Sequence, residues 1–356
     1  MDIKILVINP GSTSTKIALY KNEEELFNEN VVHPQEEIEK FDSLIKEIPM
    51  RKKHVIEALE KHGCKAKDLS VVMGRGGLFP PIKAGGYKVN QAMLDLVLHE
   101  KIPPHASNLG SVLADGIAKE AGVCAYIYDA ESSDELYEIA RITGMKEILR
   151  RSFCHVLNSK AVSRWYAESK NKKYEEINLI VAHLGGGISL SAHLGGRIVD
   201  SISDDVGPFA PERSGSVPLL DLIELCYSGN YTKKEMQRKV RGFGGLRDLL
   251  GTSDGREIAK RMEAGDERAA LVMEALAYAV AKGIAWLAPA LKGKFEAVIL
   301  TGGLANDKFL VGKIKEYAGW IGPIEVLPGE HEMQALALGG LRIIRDNEPV
   351  SEMEND

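Results

Sequence analysis

LVINPGS at residues 6–12 and IVAHLGG at residues 180–186 are the two stretches that decide the fold. Each is a continuous apolar run, the pattern of a strand buried on both faces. Each run then meets a polar residue, Asn9 or His183, and a glycine turn, Pro10-Gly11-Ser12 or Gly185-Gly186-Gly187. A second strand resumes after each turn, over Thr15 to Tyr20 and from Ile188. Asn9 and His183 stand 174 positions apart, about half of the 356 residues. Two copies of one strand–turn–strand unit, each followed by helical sequence, predict a duplicated α/β domain with a cleft between the halves.

Outward from these stretches the pattern alternates. Ile38, Phe41, Ile45 and Ile48 fall at helical spacing. Val71-Val72-Met73 reads as a short strand ending in Gly74-Arg75-Gly76-Gly77. Ser107 to Gly122 reads as a helix, with Ser107 suited to cap its start and Gly122 its end. Ala125 to Tyr128 is strand and stops at Asp129, where a carboxylate is costly unless it has a function. In the second half, helical sequence runs from His155 to Ala167, and Pro218 and Gly229 bracket another helix. An alanine-rich helix covers Asp266 to about Ala288, Phe295 to Leu300 is a strand, and Met333 to Ile344 is helical.

Composition narrows the function. The 45 basic and 51 acidic side chains leave a net charge of −6, against a nucleic-acid or anionic-membrane surface, which needs clustered positive charge. Cys64, Cys124, Cys154 and Cys226 have no zinc spacing and read as reduced, buried thiols. The opening MDIKILVINPGSTSTK lacks the basic start of a signal peptide, and the expected location is the cytoplasm. The 35 glycines exceed the roughly 25 that an average frequency of about 7% predicts.

Glycine lets a backbone approach a phosphate closely and aim several N–H groups at it. Three glycine turns follow strands here: Asn9 to Ser14, His183 to Gly187, and Gly302-Gly303. None is a GxxxxGK[ST] phosphate loop, and taken singly each is equally a tight hairpin with no ligand. All three in one chain favour a nucleotide whose phosphates lie between two domains.

INPGSTSTK (8–16), HLGGGIS (183–189) and ILTGGL (299–304) resemble the two phosphate motifs and the adenosine motif of the sugar kinase, actin and chaperone ATPase superfamily. With GRGGLF (74–79), PPHASNLG (103–110), ERSGSVP (212–218) and PGEHEMQALALGG (328–340), the chain resembles the acetate and butyrate kinase family, closest to its butyrate kinase branch. The resemblance implies two similar ribonuclease H-like domains, each a mixed sheet flanked by helices, with a nucleotide cleft between them. Their expected extents are 1–155, rejoined by a C-terminal helix over 330–356, and 156–329. It implies transfer of the ATP γ-phosphoryl group to a short carboxylic acid, giving an acyl phosphate and ADP, in at least a homodimer.

A carboxylate acceptor is already ionised at neutral pH, so the reaction needs no general base. Repulsion between two anions is the difficulty, met by positioning, cationic groups and Mg²⁺. Arg75 and Arg213, in glycine-containing loops, are the candidates for neutralising that charge. By resemblance His155 stabilises the equatorial oxygens of the migrating group, His105 is a further active-site histidine, and Asp129 orients the phosphoryl group or the metal's waters. Gly11, Ser12 and Thr13 belong to the first phosphate turn; His183, Gly185, Gly186 and Gly187 to the second; Gly302 and Gly303 admit the adenosine. Asn9 and Glu330 match the residues that hold magnesium, with Glu332, two residues on, as the competing carboxylate. Two alternatives remain at this point. One is a kinase for acetate, propionate or isobutyrate; the other is an actin- or chaperone-like ATPase switch.

Overall fold

Leu6, Val7 and Ile8 expose none of their surface, and the strand they form, β1 (Lys4–Pro10), is central to its sheet. The structure is a computed structural model that describes residues 2–354. It has two compact units, Met1–Asp134 with His331–Asp356, and Glu135–Glu330.

In the first unit β1 pairs antiparallel with β2 (Ser14–Lys21), which pairs antiparallel with β3 (Glu24–Val32). On its other side β1 pairs parallel with β4 (Val71–Gly74). Beyond β4 lie β6 (Ala125–Tyr128), parallel to it, and β5 (Gly86–Lys88), antiparallel to β6. The second unit repeats the plan. There β7 (Asn178–Leu184), β8 (Ile188–Leu194) and β9 (Arg197–Ile202) form an antiparallel meander. Parallel to β7 runs β10 (Ala297–Thr301), followed by β11 (Ile324–Val326). A short β12 (Val350–Ser351) closes the edge of the first sheet beside β5. The strand orders 3-2-1-4-6 and 9-8-7-10-11 are the same arrangement twice, as the repeated strand–turn–strand pattern predicts.

Helices cover both faces of each sheet, and strand alternation decides which. In β4, a Cβ on Gly74 would meet the helix Leu109–Ala121 at Gly110, while Met73 points the other way, to Gly340 of the helix Glu332–Arg345. In the second unit Ile180, Ala182, Val298 and Leu300 pack with the helix Glu267–Leu287. The intervening Leu179, Val181, Ala297 and Ile299 pack with Val162 and Tyr166 of the helix Val156–Ser169.

Three expectations need correction. The periodic residues Ile38 to Ile48 do not share one helix. They span a single turn at Gln35–Ile38, a 3-10 turn at Leu44–Glu47, and the start of the helix Ile48–Lys61. Ser107 is not an N-cap: it lies inside a 3-10 turn (Ala106–Asn108) whose cap is His105, Nδ1 of which accepts from the Ser107 N–H. Of the four cysteines, Cys124 and Cys226 are exposed, not buried.

A buried network fixes the first glycine turn. Arg51, with no exposed surface, pairs with Glu47 at 2.7 Å and donates to the carbonyls of Gly11 (2.9 Å), Ser12 (3.1 Å) and Ser14 (3.1 Å). It also donates to Thr15 Oγ1 at 3.0 Å, and that hydroxyl shares a hydrogen bond with His33 Nε2, 2.8 Å away. Burial, then the Arg51 charge and His54, push His33 from 6.5 down to about 4. The folded protein thus holds His33 neutral where the unfolded chain binds a proton.

Stability should therefore fall as pH drops from about 6.5 to about 4, with a slope of up to about 1.4 kcal/mol per pH unit from this group. Urea unfolding of wild type and His33→Gln across that range measures it; the variant should lack this part of the slope. In the second unit Gly302 has φ +87° and a Cβ there would lie 2.5 Å from the Leu184 carbonyl oxygen. Gly302→Ala should cost roughly 1–3 kcal/mol, read as a lower urea midpoint at unchanged slope.

Candidate active site

The residues singled out from sequence fall into two groups, one in each unit. In the first unit the loop after β4 carries Arg75, whose backbone N–H bonds the carbonyl of Ile8 at the end of β1. Its flanking glycines make the loop fit: a Cβ on Gly76 would lie 2.4 Å from that of Ala130, and one on Gly77 would lie 2.2 Å from Asn108 Oδ1. Arg75 is buried, with Nη2 3.1 Å from both Glu131 Oε1 and Glu332 Oε1. Burial works against its charge, but Glu332, Glu131 and Asp129 outweigh that and raise its pKa above the ordinary arginine value. Its Nη1 is buried without a hydrogen-bond partner among the described residues.

Asn9, at the end of β1, donates from Nδ2 to Glu332 Oε2 at 2.8 Å. Of the two carboxylates in PGEHE, Glu332 is thus the one that touches Asn9; Glu330 is exposed and belongs to the second unit. Asp129 is fully buried at the end of β6, in a left-handed conformation with φ +44°. Its Oδ1 accepts the Gly85 N–H at 2.9 Å and its own N–H bonds the Gly85 carbonyl. His105 is exposed, with Nδ1 2.6 Å from Ser107 Oγ. Asn108 ties its loop to that of Arg75, accepting from the Leu78 N–H and donating to the Pro103 carbonyl, both at 2.8 Å.

In the second unit His155 caps the helix Val156–Ser169 and His183 ends β7, and their rings stack at 3.8 Å. Asn158 Nδ2 donates to His183 Nδ1 at 3.0 Å, which puts the proton of the neutral ring on Nε2. That nitrogen faces the glycine turn, since a Cβ on Gly185 would lie 2.8 Å from it. His155 Nδ1 is 2.8 Å from Ser189 Oγ. On the other side of the turn, a Cβ on Gly187 would meet Asp204 Oδ2 at 2.7 Å. The buried Asp204 carboxylate accepts from Arg213 Nε at 3.0 Å and from Arg241 Nη2 at 2.6 Å. Arg241 also stacks on the Phe153 ring at 4.5 Å.

A cavity of about 1030 Å³ opens beside the same turn. Gly185, Gly186, Gly303 and Glu330 line it, with Met262, Leu304 and Phe309 supplying apolar wall and Asp254 and Arg256 polar groups. Asp254 caps the helix Gly255–Glu263, and its bonds to Arg256 bring its pKa down to about 2. The third glycine turn is held against the second: Gly302 exchanges backbone hydrogen bonds with Gly329 and abuts Leu184.

Sequence reading missed Arg51, Glu131, Asn158, Ser189, Asp204, Arg241, Asp254 and Arg256. Glu131 and Asn158 lie two and three residues from Asp129 and His155, so the neighbourhood of each recognised residue was the available signal. The Asp204–Arg241 contact joins loops 37 residues apart and has no local signature.

Residues 125–316 match the Acetokinase family. A probable butyrate kinase 2 from Caldanaerobacter subterraneus subsp. tengcongensis is 46% identical over 346 residues, which cover 97% of this chain and 98% of that protein. Among solved structures, acetate kinase from Porphyromonas gingivalis has a TM-score of 0.76 at 18% identity, covering 96% of this chain and 99% of that one. A propionate kinase from Francisella tularensis subsp. tularensis has a TM-score of 0.75 at 19% identity, covering 95% and 98%. At such identities the structures speak for the fold, two mixed α/β sheets flanked by helices. Taken with the near full-length sequence match, they lead to one conclusion: the chain belongs to the acetokinase family.

Proposed function

We propose that the protein is a butyrate kinase, transferring the γ-phosphoryl group of ATP reversibly to butanoate to give butanoyl phosphate and ADP. The observation that carries this reading is Arg75 Nη1, a buried guanidinium nitrogen with no hydrogen-bond partner among the described residues. An unmatched buried donor costs about 1–3 kcal/mol or more when charged, and an anionic oxygen is the partner that removes the cost. The probable butyrate kinase 2 at 46% identity supports butanoate as the acid.

The first unit supplies the acceptor and metal groups. Arg75 binds the carboxylate or the phosphoryl oxygens and offsets their mutual repulsion. Asp129 does not act as a base, because the acid arrives ionised and the Gly85 N–H already holds the Asp129 carboxylate. It orients instead, with His105 at the neighbouring loop.

The donor set here suits Mg²⁺. Three carboxylates, Glu131, Glu332 and Asp129, gather beside Arg75, and carboxylate oxygens are the donors a divalent cation takes. Mg²⁺ takes one or two carboxylates, waters and substrate phosphates in place of an all-protein cage. Asn9 Oδ1 and Glu332 would hold it, and the ion would neutralise charge on the phosphate oxygens. The contact with Asn9 favours Glu332 over Glu330 for this role.

The second unit supplies the nucleotide groups. Gly303, Leu304 and Met262 accommodate the adenosine in the large cavity. The Gly185–Gly187 turn takes the phosphates, with His183 Nε2–H donating to an oxygen. Arg213, braced by Asp204, and His155, braced by Ser189, stabilise the migrating group.

Incubation with MgATP, hydroxylamine and straight-chain acids from acetate to hexanoate tests the reading, because acyl phosphates are trapped as hydroxamates. The yield should peak at butanoate. A peak at another acid would move the substrate and keep the chemistry; ATP turnover indifferent to acid would refute the kinase. Arg213→Ala should lower phosphoryl transfer by about 10³–10⁵-fold, the range for loss of an arginine that stabilises transition-state charge. Near-normal turnover in that variant would remove Arg213 from the mechanism.

A further inference from the structure

We infer that Arg51 is a positioning residue for phosphoryl transfer, one that shapes the first glycine turn to meet an anion. The inference rests on the proposed function together with the family resemblance, by which Gly11, Ser12 and Thr13 form the first phosphate turn. An arginine with no exposed surface is costly unless its N–H groups are all engaged. Arg51 engages them on two objects, Glu47, which takes Nε at 2.8 Å and Nη2 at 2.7 Å, and the glycine turn. Nη1 donates to the carbonyls of Gly11 and Ser14 and to Thr15 Oγ1, and Nη2 donates to the carbonyl of Ser12.

The remaining carbonyl of the turn, that of Thr13, accepts from the His33 N–H at 2.9 Å. Every carbonyl from residue 11 to residue 14 is therefore drawn toward a protein donor. Carbonyl oxygens would repel a phosphate. With those carbonyls engaged, the exposed residues Ser12 and Thr13 keep N–H groups and hydroxyls to offer an anion.

Charge is not the means. Glu47 pairs with the guanidinium at 2.7 Å and lies just as deep, so the pair presents little net field. The planar fork does the shaping: it reaches three carbonyls at once, which an ammonium group does not. A lysine at this position keeps the charge and loses the geometry.

That difference sets the experiment. Arg51→Lys, Glu47→Gln and wild type are compared for kcat and KM with MgATP and butanoate, ADP affinity by calorimetry, and thermal unfolding. Arg51→Lys should lose roughly 100-fold in kcat, the scale for a misplaced reacting group. Its ADP affinity should stay within about threefold of wild type, since the proposed adenosine groups belong to the second unit. Glu47→Gln should lower the unfolding midpoint at least as far while keeping kcat within about threefold. If kcat instead follows the unfolding midpoint in both variants, Arg51 is only structural and the inference falls; full activity in Arg51→Lys overturns it as well. Thr15→Val, which leaves the guanidinium but removes one of its contacts, should show the same loss of kcat at unchanged ADP affinity in smaller measure. It decides the question should Arg51→Lys not fold, and unchanged kcat there counts against the inference. Failure of the wild-type protein to form butanoyl hydroxamate refutes the proposed function itself, a result separate from any variant.

Discussion

Close approach of one backbone to another at the ends of the parallel strands is the constraint on which both units depend. A Cβ on Gly74 would lie 2.2 Å from the Gly110 carbonyl oxygen, and one on Gly302 would lie 2.5 Å from that of Leu184. No side chain fits at either point. The first contact seats the helix Leu109–Ala121 on β4 and so aims the Arg75 loop. The second presses the turn after β10 against the end of β7, and so sets Gly303 on the rim of the large cavity. The glycine surplus thus lies partly in contacts that place the candidate loops, not only in the loops themselves.

The duplicated plan was legible because its evidence is local. Apolar runs such as Leu6–Ile8 and Leu179–Ala182 read as strands on their own, and the turn behind each has its own glycines. The third strand of the first meander was not legible. Glu24–Val32 is an edge strand, EELFNENVV, whose charges guard an open edge and hide the alternation that marks a half-buried strand. The helix expected across Ile38 to Ile48 failed for a related reason: the spacing of those residues is helical, but the chain between them is interrupted by turns.

At the site the same division holds. Candidates inside motifs, such as Arg75, Asp129, His183 and Gly302, could be singled out from the chain alone. Their partners could not, because partners are chosen by tertiary contact. Arg51 lies 37 to 40 residues from the turn it holds, and Glu332 lies 323 residues from Asn9. Nothing in a run such as IPMRKKHVIEALEK distinguishes the one arginine that goes inward from the lysines beside it.

Asp204 has a consequence of its own. A buried carboxylate with one arginine partner is stranded whenever that arginine turns to something else, and a stranded buried charge is among the costlier faults a protein can carry. Asp204 has two, Arg213 and Arg241. With either contact removed the other would still pair the carboxylate, so its burial does not hang on Arg213 alone.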